Sequence, residues 1–186
     1  MWYWPLSNKV KIPSAGEPGS FWEDRKDRRH CGVDLYAKEW SEVAAAEEGR
    51  ILSTTIFTTP NLVSYWNLTY SVLVETKTGL QRYCELGSVA ASPGTSVAAG
   101  DVLGCVGAVV DRDKVTHTSP AYIRDLIHKN NITMLHFELW KNEPVPVSSH
   151  ASTYRGGNWF GKKKPENLLD PTEKLREALD AAHQSI

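Results

Sequence analysis

The sequence lacks a charge excess of either sign: 21 Lys and Arg stand against 22 Asp and Glu, a formal net charge of −1 over 186 residues. That balance removes the usual electrostatic basis for nucleic-acid binding, which rests on a basic excess or a basic face. Two short basic runs, Arg25-Lys26-Asp27-Arg28-Arg29 and Lys162-Lys163-Lys164, read as solvated loops. Cysteine is scarce and odd in number. Cys31, Cys84 and Cys105 form neither a CxxC pair nor a disulfide framework, so reduced thiols are expected. There is no run of about 18 apolar residues to span a bilayer, so no membrane insertion is expected. Met1-Trp2-Tyr3-Trp4-Pro5-Leu6 has neither the basic start nor the apolar core of a secretory leader. Repeats and low-complexity segments are missing too. What remains is an ordinary globular composition, 41% hydrophobic and 23% charged, on a chain long enough to bury a core as one domain.

The texture of the chain is mainly β. Residues 1 to 29 are rich in Pro, Gly and charge and read as an extended, loop-rich segment. From His30 onward, short β-branched or aromatic stretches follow one another: Val33–Tyr36, Arg50–Phe57, Tyr70–Glu75, Gln81–Leu86, Val102–Val110 and Thr133–Trp140. Turn signals separate them, at Thr76-Lys77-Thr78-Gly79, Ser92-Pro93-Gly94 and Ala99-Gly100-Asp101. This predicts a mainly antiparallel β domain. Two helices interrupt it: Ala121 to Lys129, with Ser119-Pro120 as cap and first residue and an apolar stripe of Ile123, Leu126 and Ile127, and a C-terminal helix begun by Asp170-Pro171 and running to about Gln184.

Two of the six histidines sit in suggestive contexts, His30-Cys31-Gly32-Val33-Asp34 and Leu135-His136-Phe137-Glu138. In a flat strand, residues four apart share a face but lie about 13 Å from each other, too far to meet on one ion. The chain must bend between His30 and Asp34, and Gly32 permits it. A third ligand must come from a distant segment, where His136 is well placed. Spacing alone leaves the bland alternatives open: an exposed loop pair, and a half-buried strand histidine with its polar tip satisfied.

The order of the pieces resembles the lysostaphin-like, LytM-type zinc metallopeptidases, which cut peptide bonds in bacterial peptidoglycan. His30-Cys31-Gly32-Val33-Asp34 matches the family's H-x-G-x-D, and Val43 to Ile51 matches the stretch that follows it. Tyr83-Cys84-Glu85-Leu86 stands where the family has Y-A-H-L, followed by a glycine-punctuated stretch that Gly94 to Gly107 matches. Met134-Leu135-His136-Phe137-Glu138 stands where the family has H-L-H-F-E. The resemblance covers about residues 20 to 170. It implies a two-layer, sandwich-like antiparallel β domain over residues 1–169, with a short inserted helix, and a C-terminal helix at 170–186 packed on it or extending from it. It also implies one Zn²⁺ held by His30, Asp34 and His136, and a peptide or a peptidoglycan stem or cross-bridge as substrate.

The departures fall on catalysis. Both family histidines outside the metal shell are replaced, by Glu85 and Met134. Glu85 could act as general base, as the glutamate of HExxH peptidases does, bind the metal as a fourth ligand, or lie solvated by the groove. Met134, His136 and Glu138 share one strand face at period 2, so Met134 would set a thioether beside the metal, and Glu138 could orient a ligand or simply hold the strand. His117 and His128, in an insertion from Asp111 to Asn131, could fold over the groove in place of a lost histidine. Cys31 and Cys84 could bind metal or be oxidised if both lined the site, but alternation is expected to point them away from the metal face, as packing groups. A zinc endopeptidase is the leading expectation. A catalytically silent zinc-binding domain that binds a peptide or protein partner, or regulates an active hydrolase, is the competitor. The family implies a periplasmic or extracellular setting, in tension with the missing leader.

Overall fold

The structure is a computed structural model that describes residues 1–141 and 153–184. Its strands are β1 (Arg29–His30), β2 (Val33–Tyr36), β3 (Glu42–Ala44), β4 (Gly49–Thr58), β5 (Thr69–Thr76), β6 (Gly79–Val89), β7 (Ser96–Val97), β8 (Val102–Ala108), β9 (Thr133–Trp140), β10 (Tyr154–Arg155), β11 (Asn158–Trp159) and β12 (Leu168–Leu169). Two α-helices accompany them, α1 (Ala121–His128) and α2 (Thr172–Gln184). All pairings are antiparallel. Nine strands form one curled sheet around β9, β8, β6, β5 and β4, while β1, β11 and β10 form a small second sheet. The mainly antiparallel β architecture with one inserted and one C-terminal helix is the one the sequence predicts.

Strand β9 organises the molecule because it is apolar on one face and functional on the other. Leu135, Phe137 and Leu139 enter the main core beside Val33, Leu35, Tyr83 and Leu86, while His136, Glu138 and Trp140 face the opposite side, as the period of two requires. It is flanked by β2, where Asp34 opposes His136, and by β6, where Cys84 opposes His136 and Arg82 opposes Glu138. Directly opposed residues share a face, so register alone brings Asp34 beside His136.

Strand β6 changes neighbours part-way. Its residues Leu80 to Cys84 pair with β9, and Leu86 to Val89 pair with β8. The bare backbones of Gly87 and Gly107 meet at this junction, where a Cβ on Gly107 would lie 2.7 Å from the Gly87 nitrogen. Glu85 falls at the switch in a left-handed conformation, φ 64°, which turns its side chain off the core face that Tyr83 and Leu86 occupy.

The loop-rich N-terminal segment contributes to the core: Trp2, Trp4, Leu6 and Ile12 are buried, and Trp2 packs edge-on against Phe137 at 5.5 Å. Helix α2 docks through Leu175 and Ala178 into the same cluster, and Asp170 Oδ1 accepts from the Thr172 N–H at its start. Helix α1 departs from expectation at its cap. Pro120 takes the cap position, and the Ser119 hydroxyl instead accepts from the Thr116 N–H, closing the preceding turn. Among the described residues, no helix is long and apolar enough to cross a membrane.

Candidate metal centre

His30 ends β1, Asp34 lies in β2 and His136 in β9, and the chain does bend between the first two, leaving the small sheet after His30 and entering the large one at Val33. Their side-chain atoms form a closed triangle. His30 Nε2 lies 3.1 Å from Asp34 Oδ1 and 2.9 Å from His136 Nδ1, and His136 Nδ1 lies 2.8 Å from Asp34 Oδ1. All three residues are buried. Among the described residues, the group of donor atoms that could hold a metal ion comprises these three, and neither Glu85 nor Glu138 belongs to it.

Counting protons tests whether a cation fits. His30 Nδ1 lies 2.8 Å from the Ser20 carbonyl, which can only accept, so the proton of neutral His30 sits there. His136 Nε2 lies 2.9 Å from Glu138 Oε1 and donates to it. Both neutral rings therefore aim lone pairs at each other and at a carboxylate oxygen, an arrangement that needs a positive charge at its centre. Tetrahedral zinc with bonds of ~2.0–2.2 Å sets neighbouring ligand atoms roughly 3.3–3.6 Å apart, so the triangle would open by less than about 1 Å along each edge. The residues fit a divalent metal. Without one, a proton fills the role. Burial lowers the affinity of His136 for a proton, but its hydrogen bonds to Asp34 and Glu138 outweigh that and push its pKa up to about 9. Burial, together with Arg25, lowers that of His30. Asp34 is held well below the carboxylate range: burial would raise it, and His30 and the hydrogen bond from His136 overcome that.

Each ligand candidate is fixed from behind. Glu138 is fully buried and accepts from His136 Nε2, from the Tyr154 hydroxyl at 2.6 Å and from Trp140 Nε1 at 2.8 Å, with Arg82 Nη1 3.6 Å away. A carboxylate that receives a histidine's second N–H fixes its tautomer and raises its basicity as a ligand. Asp34 Oδ2 accepts from Arg25 Nη2 at 3.2 Å, and the same guanidinium donates to Glu23 and Asn158. The reading of Arg25 as part of a solvated loop is thus corrected: its side chain is 15% exposed, because Asp34 needs a counter-charge. The His136 ring stacks on Phe57 at 5.8 Å. Its far edge touches the turn Gly156-Gly157, where a Cβ on Gly157 would sit 2.5 Å from Nε2. Both glycines have positive φ, 49° and 73°, suited to the tight two-residue turn between β10 and β11.

Glu85 lines the same cavity as the triangle. Its Oε2 is 2.8 Å from Thr69 Oγ1, which is 2.6 Å from Thr58 Oγ1, which is 2.9 Å from the Asn67 carbonyl. Thr69 donates to Glu85 and Thr58 to the Asn67 carbonyl, a buried hydroxyl chain that ends on the carboxylate. Burial raises the Glu85 pKa to about 7, against the opposing pull of Thr69 and His136. Met134 is buried in an apolar cluster with Val109, Val110 and Ile123 of the inserted segment. His117 and His128 are exposed and do not line the cavity: the apolar stripe of α1 faces Met134 and turns His128 outward. His150 lies outside the described residues.

The packing role expected of the thiols holds, and the face expected of Cys84 is corrected. Cys84, opposite His136, shares its face, and with Cys31 it packs beneath the site among Phe57, Leu73 and Trp140. Burial pushes both thiols well above their ordinary pKa, which leaves them as packing groups.

No protein-family model matches the sequence, and no curated protein sequence is significantly similar to it. Solved structures do match. The catalytic domain of the antimicrobial peptidase lysostaphin from Staphylococcus simulans superposes with a TM-score of 0.53 at 16% identity, over 90% of this chain and 92% of that domain. This chain has the lysostaphin-like fold. The cbpa protein of L. salivarius REN gives a TM-score of 0.58 at 15% identity, over 97% of this chain and 98% of that one. Full-length lysostaphin gives 0.54 at 18% identity, over 92% of this chain. The chain spans about half the length of some structures it matches, 52% of full-length lysostaphin and 48% of another. The sequence motifs that resemble the family thus sit on the lysostaphin-like fold. Sequence reading missed Arg25, Phe57, Tyr154, Thr58 and Thr69. Only the Gly156-Gly157 dipeptide, a turn signal just before Asn158, could have pointed to the wall behind His136.

Proposed function

We propose that this chain is a zinc-dependent peptide hydrolase of the lysostaphin type, with His30, Asp34 and His136 as the metal ligands and Glu85 as the proton acceptor. The observation that carries the reading is the proton-deficient triangle of buried donors with a titratable carboxylate in the same cavity. When bound there, zinc would supply Lewis acidity, polarising a peptide carbonyl and lowering the pKa of a water to about 7. The chain's own residues do the rest. Glu138 and the Ser20 carbonyl hold the two imidazoles in the tautomers that leave a lone pair free. Arg25 holds Asp34 by its outer oxygen. Glu85, poised near neutrality, takes a proton from the attacking water and returns it to the leaving amine, with the Thr69–Thr58 chain adjusting to its charge. Peptidoglycan stem or cross-bridge peptides are the substrate class proposed, on the strength of the fold.

A second reading is favoured by Met134. No histidine stands at that place, so a donor to the developing oxyanion is missing, and a zinc-binding domain without catalysis would bind peptide or protein instead. One experiment separates the two: the zinc-loaded protein is incubated with purified peptidoglycan and soluble stem peptides, and new amine termini are counted with and without chelator. Chelator-sensitive cleavage that Glu85→Gln abolishes, with zinc retained, supports the hydrolase. Absence of cleavage in wild type, and its appearance in the Glu85→His, Met134→His double variant, supports the silent domain. Failure to bind zinc at all overturns both.

A further inference from the structure

The cavity at the triangle is lined by two chemically different groups of side chains. One is polar, His30, Asp34, His136, Glu85 and Arg25; the other is apolar, Trp66, Val109, Ile123, Leu126 and Met134, with Asp125, Lys129 and Asn131 at its margin. Of the second group, Trp66, Val109, Ile123 and Met134 are each 9% exposed or less, packed into a fixed surface. The helix that supplies Ile123 and Leu126 is clamped in place. The Arg28 guanidinium lies 5.4 Å from the centre of the Tyr122 ring and 4.8 Å from that of Phe160, and Nη1 donates to the Tyr122 hydroxyl at 3.3 Å. The cavity volume is about 180 Å³. An apolar cavity of about 150 Å³ lined by aliphatic and aromatic side chains stays dry and holds a benzene ring. The whole cavity, polar and apolar lining together, is therefore about one side chain in size.

We propose that Met134 and the inserted helix form a subsite for one apolar side chain, up to phenyl in size, of a peptide bound at the metal centre. It rests on the hydrolase reading only for the peptide nature of the ligand. The replacement of a histidine by methionine and the insertion of α1 then form one feature: methionine seals the floor on which the helix packs, and together they make a specificity pocket. An extra methylene in such a pocket is worth roughly 10- to 200-fold in discrimination, and a whole aliphatic or aromatic group at least the lower end of that.

The test reads binding, not turnover. The full chain, metal-free and zinc-loaded, is titrated with N-acetyl-phenylalanine amide, N-acetyl-leucine amide and N-acetyl-glycine amide, and followed by calorimetry and by methyl resonances. Only Met1 and Met134 contribute methionine methyls, so the assignment is direct. The phenylalanine and leucine amides should bind at least about tenfold more tightly than the glycine amide and shift the Met134 and Ile123 methyls. Met134→Gln and Ile123→Asn should erase that preference while zinc content stays constant. Equal affinity for the three amides, including none for any, or shifts confined to another part of the molecule, overturns the subsite. Should a variant fail to fold, the wild-type methyl shifts decide alone. A chain that cleaves peptides yet binds the three amides equally keeps the hydrolase and loses the subsite. A chain that prefers the apolar amides yet cleaves nothing keeps the subsite and loses the hydrolase.

Discussion

On one wall of the cavity, His30, Asp34 and His136 are each tied to a second polar group, by Ser20, Arg25 and Glu138 respectively. On the facing wall, Met134, Val109 and Ile123 make an apolar surface held by packing and by the Arg28 clamp on Tyr122 of α1. The first wall is over-determined: its hydrogen bonds set tautomer, orientation and charge, the pre-organisation that a metal site requires. The second contributes shape. Between them Glu85 keeps an ionisable group in a strained backbone position, the kind of local cost that the surrounding sheet sustains where function needs it.

The wall of His30, Asp34 and His136 is the more sensitive of the two to substitution. His30→Ala or His136→Ala should reduce bound zinc from about one equivalent to near none by elemental analysis, because two protein ligands do not hold the ion against competition. Met134→Leu, on the facing wall, should leave zinc content unchanged. Retention of zinc in the histidine variants would dissolve the distinction between the walls.

Glu85→Gln should slow peptide hydrolysis by about 10²- to 10⁴-fold with zinc intact. In the wild type, the rate should fall as pH drops below about 7, where the carboxylate gains its proton. A rate that is flat from pH 5 to 8 would remove Glu85 as base.

Removing support from behind should cost less than removing a ligand. Glu138→Gln, which weakens the acceptor of the His136 N–H, should lower zinc affinity by about 10- to 100-fold in a competition titration with a chelating dye. Zinc uptake should also release about one proton near pH 7, since the His136 proton, held with a pKa of about 9, must leave. Apparent affinity then rises roughly tenfold per pH unit up to about 9. Calorimetry in buffers of different ionisation enthalpy measures the proton directly.

The smallest effect concerns stability. A buried acid raised from 4.5 to about 7 binds its proton more tightly in the folded state. Its contribution is complete below about pH 4.5 and is lost as pH rises towards 7. Glu85→Gln should therefore stabilise the metal-free protein at pH 8 by roughly 2–3 kcal/mol, and hardly at all at pH 4. Denaturant melts at the two pH values check this.

Much of the sheet was legible in the chain. The alternation in Thr133–Trp140 set Met134, His136 and Glu138 on one face, and β-branched runs bounded by Gly and Pro marked β2, β4, β5, β6 and β8 to within a few residues. Such patterns are local: side chains alternate along a strand whatever lies beside it. Cys84 shows where that reasoning stops. Alternation along a single strand says nothing about which face its neighbour presents, and only the register with β9 places Cys84 under His136. The sequence by itself determined the β class, the two helices and the residue types able to hold a metal. The tertiary structure decided the rest: that His30, Asp34 and His136 converge, that Arg25 leaves its basic run to neutralise Asp34, and that a bulge aims Glu85 into the cavity. The physical reason is that these relations join residues up to 106 positions apart, and contacts of that span are fixed by strand pairing and burial, which no local pattern encodes.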